Sequence, residues 1–107
     1  ITQAFRDEMI QIFRNYIRID TTNPPGDEIK TANFLGAILE KEGIPFIVET
    51  SAPRRANLIA RLKGRGEKKP IVLLNHMDVV PAPAAQWTVP PFSGEIKNGC
   101  VYGRGTI

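Results

Sequence analysis

His76 is the chain's only histidine, and Asp78 follows it by two residues in the stretch Leu73-Leu74-Asn75-His76-Met77-Asp78-Val79-Val80-Pro81. An imidazole and a carboxylate at that spacing can do definite chemistry. Histidines that bind metals usually donate their second ring nitrogen to a carboxylate, which fixes the tautomer and ring direction and raises ligand basicity. In an extended chain, positions 76 and 78 share one face, so the side chains can meet without a special fold. The pair reads as one metal ligand, His76, with its orienting carboxylate, Asp78. Taken alone, the pair is more often an ordinary turn that contains a surface or hydrogen-bonded histidine. One imidazole cannot hold a catalytic metal, since such sites take three or more protein ligands, and it cannot select among metals.

The other chemistry-bearing residues are fewer. A single cysteine, Cys100, excludes an intramolecular disulfide and a multi-cysteine zinc cage. Paired with His76 it would make a cysteine hydrolase. Its place within a strand, just after a turn, predicts instead a small buried structural residue that resists alkylation. Arg104 lies between Gly103 and Gly105 and reads as a turn residue more than as an anion contact. Trp87 and Phe92 either line a site entrance or pack a long loop. Asn23 and Pro24 shape a loop and receive no chemical role.

The elements that must position His76 and Asp78 follow from periodicity. Phe5, Met9, Ile12, Phe13, Tyr16 and Ile17 recur at helical spacing, which predicts an amphipathic helix over residues 2–18. Pro24-Pro25 forbids helix at Asn23, and Gly26 supports a turn. Asp27 and Glu28 then favour a second helix through its N-terminal dipole. Ile29, Ala32, Leu35 and Leu39 form its stripe, and Gly43 ends it. Residues 44–50 read as a strand. Leu58, Ala60 and Leu62 alternate with Ile59, Arg61 and Lys63, which predicts a second strand, and residues 56–75 read as a hairpin. Ile71 to Leu74 is apolar on both faces, as in a buried central strand covered by helices. Asn98-Gly99 signals a tight hairpin turn between two short strands. The expected architecture is α/β: helices packed on a mixed β-sheet with a buried central strand, the sheet incomplete. His76 would then lie at the carboxyl end of the central strand, where open α/β sheets bind ligands.

Bulk properties narrow the function. The chain has 107 residues, 42% hydrophobic and 23% charged, with 14 Lys and Arg against 11 Asp and Glu. A net charge of +3, scattered along loops, excludes a nucleic-acid reading. No apolar run approaches the ~20 residues of a membrane span, and none reads as a signal peptide. The compartment stays open; a lone cysteine is compatible with the cytoplasm without establishing it. The chain opens on Ile1 and closes on Ile107, and both ends read as cuts in a longer sequence.

Several motifs in order add to these readings: Thr21-Thr22-Asn23-Pro24-Pro25-Gly26, then His76-Met77-Asp78-Val79-Val80-Pro81, then Trp87, Pro91-Phe92-Ser93-Gly94 and Tyr102-Gly103-Arg104-Gly105. Together they resemble the M20 family of metallopeptidases and amidohydrolases, along essentially the whole chain. The resemblance implies that residues 1–107 are the N-terminal portion of one zinc-peptidase-like catalytic domain. The rest of that domain and a dimerisation domain would lie outside the chain. It implies His76 as the first zinc ligand and Asp78 as the catalytic carboxylate that holds it. It further implies two zinc ions, with cobalt or manganese as substitutes. A bridging Asp directly after Gly103 to Ile107, a general-base Glu and the remaining ligands would come later. The implied partner is a peptide or N-acyl amino acid substrate, with no nucleic acid and no membrane, and the full-length form would be able to dimerise. The 107 residues alone would be inert. A reading from another class is a complete, non-catalytic binding domain.

Overall fold

The computed structural model describes residues 1–106. Helix α1 spans Gln3–Ile17, and the Thr2 hydroxyl caps it by accepting from the Phe5 amide at 3.2 Å. Helix α2 spans Glu28–Lys41, and Gly43 follows it in the left-handed region (φ +66°), as helix ends favour. Strands β1 (Phe46–Ala52) and β2 (Arg55–Ala60) form an antiparallel hairpin, with a bulge between Thr50 and Ala52. Gly36 lets α2 sit against this hairpin, because a Cβ there would lie 2.8 Å from the Phe46 ring. After a single 3-10 turn at Ala84–Gln86 come β3 (Glu95–Lys97) and β4 (Cys100–Tyr102). Asn98 (φ 51°) and Gly99 (φ 76°) join them, both with the positive φ that a type I′ turn demands.

The two hairpins belong to separate two-stranded sheets. Helix α1 ties itself to the second. Arg14 Nε donates to the Gly94 carbonyl at 2.7 Å, and Arg18 Nε donates to the Ser93 carbonyl at 3.0 Å. Buried Ile17 rests against Gly103. Residues 20–28 connect everything else. On one side Thr22 and Val79 form a parallel bridge, with Asn23 N donating to Val79 O at 2.8 Å. On the other, Ile29 N donates to Arg54 O at 3.1 Å, and Arg55 Nε lies 2.7 Å from Glu28 Oε2.

The α/β class with incomplete sheets agrees with the sequence expectation, as do both helices and the Asn98-Gly99 turn. Two expected features do not form. The partner of residues 55–60 is the preceding strand, not residues 71–75, because Pro53-Arg54 turns the chain directly back (Arg54 φ 68°). The expected buried central strand is also absent: Ile71, Val72, Leu73 and Leu74 are 83–93% exposed and unpaired among the described residues. A strand apolar on both faces needs neighbouring strands and a layer on each side. The described residues supply none here, since β1 and β2 pair with each other and each helix packs elsewhere. The hydrophobic core is correspondingly small: Ile17, Ala32, Ala56 and Val89. No helix among the described residues is long and apolar enough to cross a membrane.

Candidate functional site

His76 ends the exposed apolar run, and Asp78 follows where the chain is pinned against residues 21–23. The pinning is mostly main-chain. Val79 N donates to Thr21 O at 3.3 Å, and the buried Thr21 hydroxyl donates to Met77 O at 2.7 Å. The structure brings His76 and Asp78 together. His76 Nδ1 lies 2.8 Å from the Asp78 carbonyl and 3.1 Å from Asp78 Oδ1. Both partners are acceptors, so Nδ1 carries the proton, and in the neutral ring Nε2 holds the lone pair. The His76 side chain is 83% exposed, whereas that of Asp78 is 33% exposed.

The second oxygen of Asp78 is also engaged. Asn23 Nδ2 donates to Oδ2 at 2.9 Å across 55 residues of sequence. This bond, followed by that from His76, lowers the Asp78 pKa below the ordinary aspartate value; partial burial opposes the shift without overcoming it. The carboxylate therefore stays ionised while facing the imidazole. Sequence reasoning missed Asn23. The only available signal was that its loop belonged to one of the ordered motifs.

Arg104 is occupied structurally, as its glycine-flanked position predicts. Its guanidinium stacks 5.1 Å from the Trp87 ring centroid, and its amide donates to Pro91 O at 2.7 Å. Gly105, in the left-handed region (φ +86°), lies beside Val79, where a Cβ would stand 3.1 Å from the Val79 Cγ1 methyl. The 103–106 turn is thus set against the residues that follow His76. Ile107, the last member of the motif that leads toward the expected bridging Asp, lies outside the described residues. Cys100 corrects an expectation: it is exposed. Its strand has only one neighbour, and no layer covers it, so nothing buries the thiol. No described contact joins it to His76.

The donor set fits one position of a metal site. Histidine bound through Nε2, with Nδ1–H on a carboxylate, is the usual arrangement around zinc. Among the described residues, no group of three or more His, Cys, Asp or Glu side chains could hold a metal ion. A metal held through His76 would need its other ligands from outside these residues.

The profile of peptidase family M20/M25/M40 matches residues 72–107, which include His76, Asp78 and Arg104. The M20 pattern thus falls on the part of the chain that holds the His76–Asp78 pair, and the rest of the chain is similar to the same group of proteins. It is 59% identical to the N-fatty-acyl-amino acid synthase/hydrolase PM20D1 of Bos taurus over 114 residues, which cover 99% of this chain and 22% of that protein. It is 37% identical to a probable succinyl-diaminopimelate desuccinylase of Staphylococcus aureus, over 99% of this chain and 26% of that one. It is 35% identical to aminoacylase-1 of Dictyostelium discoideum, over 94% of this chain and 25% of that one. The chain thus spans 22–26% of the length of these M20 relatives.

Proposed function

We propose that the protein carrying these residues is a zinc-dependent hydrolase. It cleaves the amide bond of an N-acyl amino acid or a peptide, and the 107 residues alone are inert. The observation that carries this reading is the His76–Asp78 contact, in which Nδ1 is tied and Nε2 is left as the ligating nitrogen. Likeness to the M20 family supports hydrolysis. The identity to the bovine N-fatty-acyl-amino acid synthase/hydrolase favours an N-acyl amino acid over a peptide. A bound zinc pair would supply an activated water and polarise the amide carbonyl.

The chain's own residues prepare that site. Asp78 accepts a hydrogen bond from Nδ1–H and so holds the ring in one tautomer and one direction. Its negative charge makes the imidazole a stronger donor. The 21–23 segment fixes the backbone on either side of Asp78. One imidazole leaves the site short of the three protein ligands a catalytic zinc needs, which is the reason for expecting no activity from these residues alone. Homodimerisation of the whole protein belongs to the same proposal, by family likeness.

The test uses the protein that carries these residues, assayed with N-acyl amino acids and dipeptides. His76→Ala should lose at least one zinc and drop kcat/KM by about 10³-fold or more, in line with loss of a ligand. Asp78→Asn should cost about 10- to 100-fold. Full zinc content and activity in His76→Ala would refute His76 as a ligand, whereas a parent protein that binds no zinc and hydrolyses none of these substrates would leave a binding domain as the better account.

A further inference from the structure

We propose that Asn23 is a positioning residue for His76, acting through the carboxylate of Asp78; this rests on the metal-ligand reading given above. The two oxygens of Asp78 are divided between two donors. Oδ1 faces His76 Nδ1 at 3.1 Å, and Oδ2 accepts from Asn23 Nδ2 at 2.9 Å. A carboxylate anchored at one oxygen only can rotate about its terminal torsion, which is broad. Anchoring the second oxygen fixes its plane, and with it the direction in which the imidazole is held.

The chemical type of the anchor matters as well. An arginine or lysine at this place would pin the carboxylate equally well but neutralise its charge, and that charge is what strengthens the ring as a donor. A carboxamide donates without adding charge, so the charge remains directed at His76. The anchor is itself held. Asn23 N donates to Val79 O, Val79 N donates to Thr21 O, and the Thr21 hydroxyl donates to Met77 O. Bonds from residues 21–23 therefore fall on 77, 78 and 79 in turn. The Asn23 side chain is the one member of this set that reaches the reacting side of the segment.

The experiment is zinc affinity, measured by chelator competition on the purified protein that carries these residues. Asn23→Ala and Asn23→Asp should each weaken binding by about 10- to 100-fold. Asn23→Asp should be the worse, since it keeps the shape but sets a second carboxylate against the first. If Asn23→Ala fails to fold, the near-isosteric Asn23→Asp decides alone. Action through Asp78 adds a second requirement: in an Asp78→Ala background, Asn23→Ala should change affinity by less than about twofold. Affinities within twofold of the parent for both Asn23 variants would overturn the proposal. So would an undiminished effect in the Asp78→Ala background. His76→Ala separates the two levels. If it loses zinc while the Asn23 variants do not, only the positioning role falls. If it keeps zinc, the metal-ligand reading fails first.

Discussion

The Asp27 carboxylate is buried at the head of α2, yet it is held charged because Arg54 Nη2 (2.9 Å) and Lys30 Nζ (2.5 Å) both reach its Oδ2. The Arg54 bond, followed by that of Lys30, lowers its pKa from 3.8 to about 2. A carboxyl depressed in the folded state contributes stability that is fully present above its unfolded value. That contribution is lost as pH falls through the folded value. The window here is pH 3.8 down to about 2. Asp27→Asn should therefore lower stability at neutral pH but lose less on acidification across that window. Urea midpoints at pH 5, 4, 3 and 2 check this, and parallel curves for variant and parent would contradict it. Residues of this kind also show what the sequence could reveal. His76 and Asp78 were legible because their relation is written in a spacing of two. Asp27 was legible only as a favourable charge at a helix start. Its partner Arg54 arrives from a hairpin turn, and Asn23 finds Asp78 from a distance of 55 residues. No local pattern encodes such meetings.

Between elements, α1 meets the second hairpin region at Ile17 and Gly103. A Cβ at Gly103 would overlap the Ile17 Cγ2 methyl. Nothing gives way easily there, because Ile17 is 3% exposed and Arg14 and Arg18 hold the helix to Gly94 and Ser93. Gly103→Ala should cost about 1–3 kcal/mol as overpacking. Ile17→Leu, which removes the branching methyl, should recover part of that loss in the double variant. Chemical denaturation of the four proteins of this cycle measures it, and simple additivity would show that the contact is not the cause. Gly99 makes a useful contrast. It has open space around its Cα but φ of +76°, so Gly99→Ala should cost about 1–2 kcal/mol from backbone strain alone, with no rescue by Ile17→Leu. Elements whose signal is local were legible: the helical stripes, the Gly43 stop and the Asn98-Gly99 turn. The pairing of β2 with β1 was missed because the Pro53-Arg54 turn carries no glycine, and Arg54 takes the left-handed conformation instead. The central strand failed for a different reason. An apolar run specifies that it wants burial, but not what will bury it.

At the scale of the whole molecule, the chain exposes 8387 Å², against the ~6,000 Å² that size scaling gives for a compact chain of this mass. Its radius of gyration is 15.7 Å, where ~13 Å is usual for this length. Much of the excess lies in residues 61–76, which are exposed throughout and include the apolar run from Ile71 to Leu74. A contiguous apolar segment with unpaired backbone groups is a template for association. Prepared alone, residues 1–107 should self-associate with rising concentration and bind hydrophobic dyes. Val72→Lys with Leu74→Lys should reduce both, since the charges sit on an open surface. In the protein that carries these residues the same pair should have the opposite effect. If additional strands and helices cover the run there, as its two-faced apolarity demands, buried lysines without partners should destabilise by roughly 4 kcal/mol or more. Sedimentation velocity on the short chain and denaturation of the whole protein supply the two readings. Opposite signs mean that the run is a core strand awaiting its cover. A gain in solubility without loss of stability in the whole protein would mean that residues 71–74 stay at the surface. His76 would then have no covered strand to hold it, and its place in a metal site would rest on Asp78 and the 21–23 segment alone.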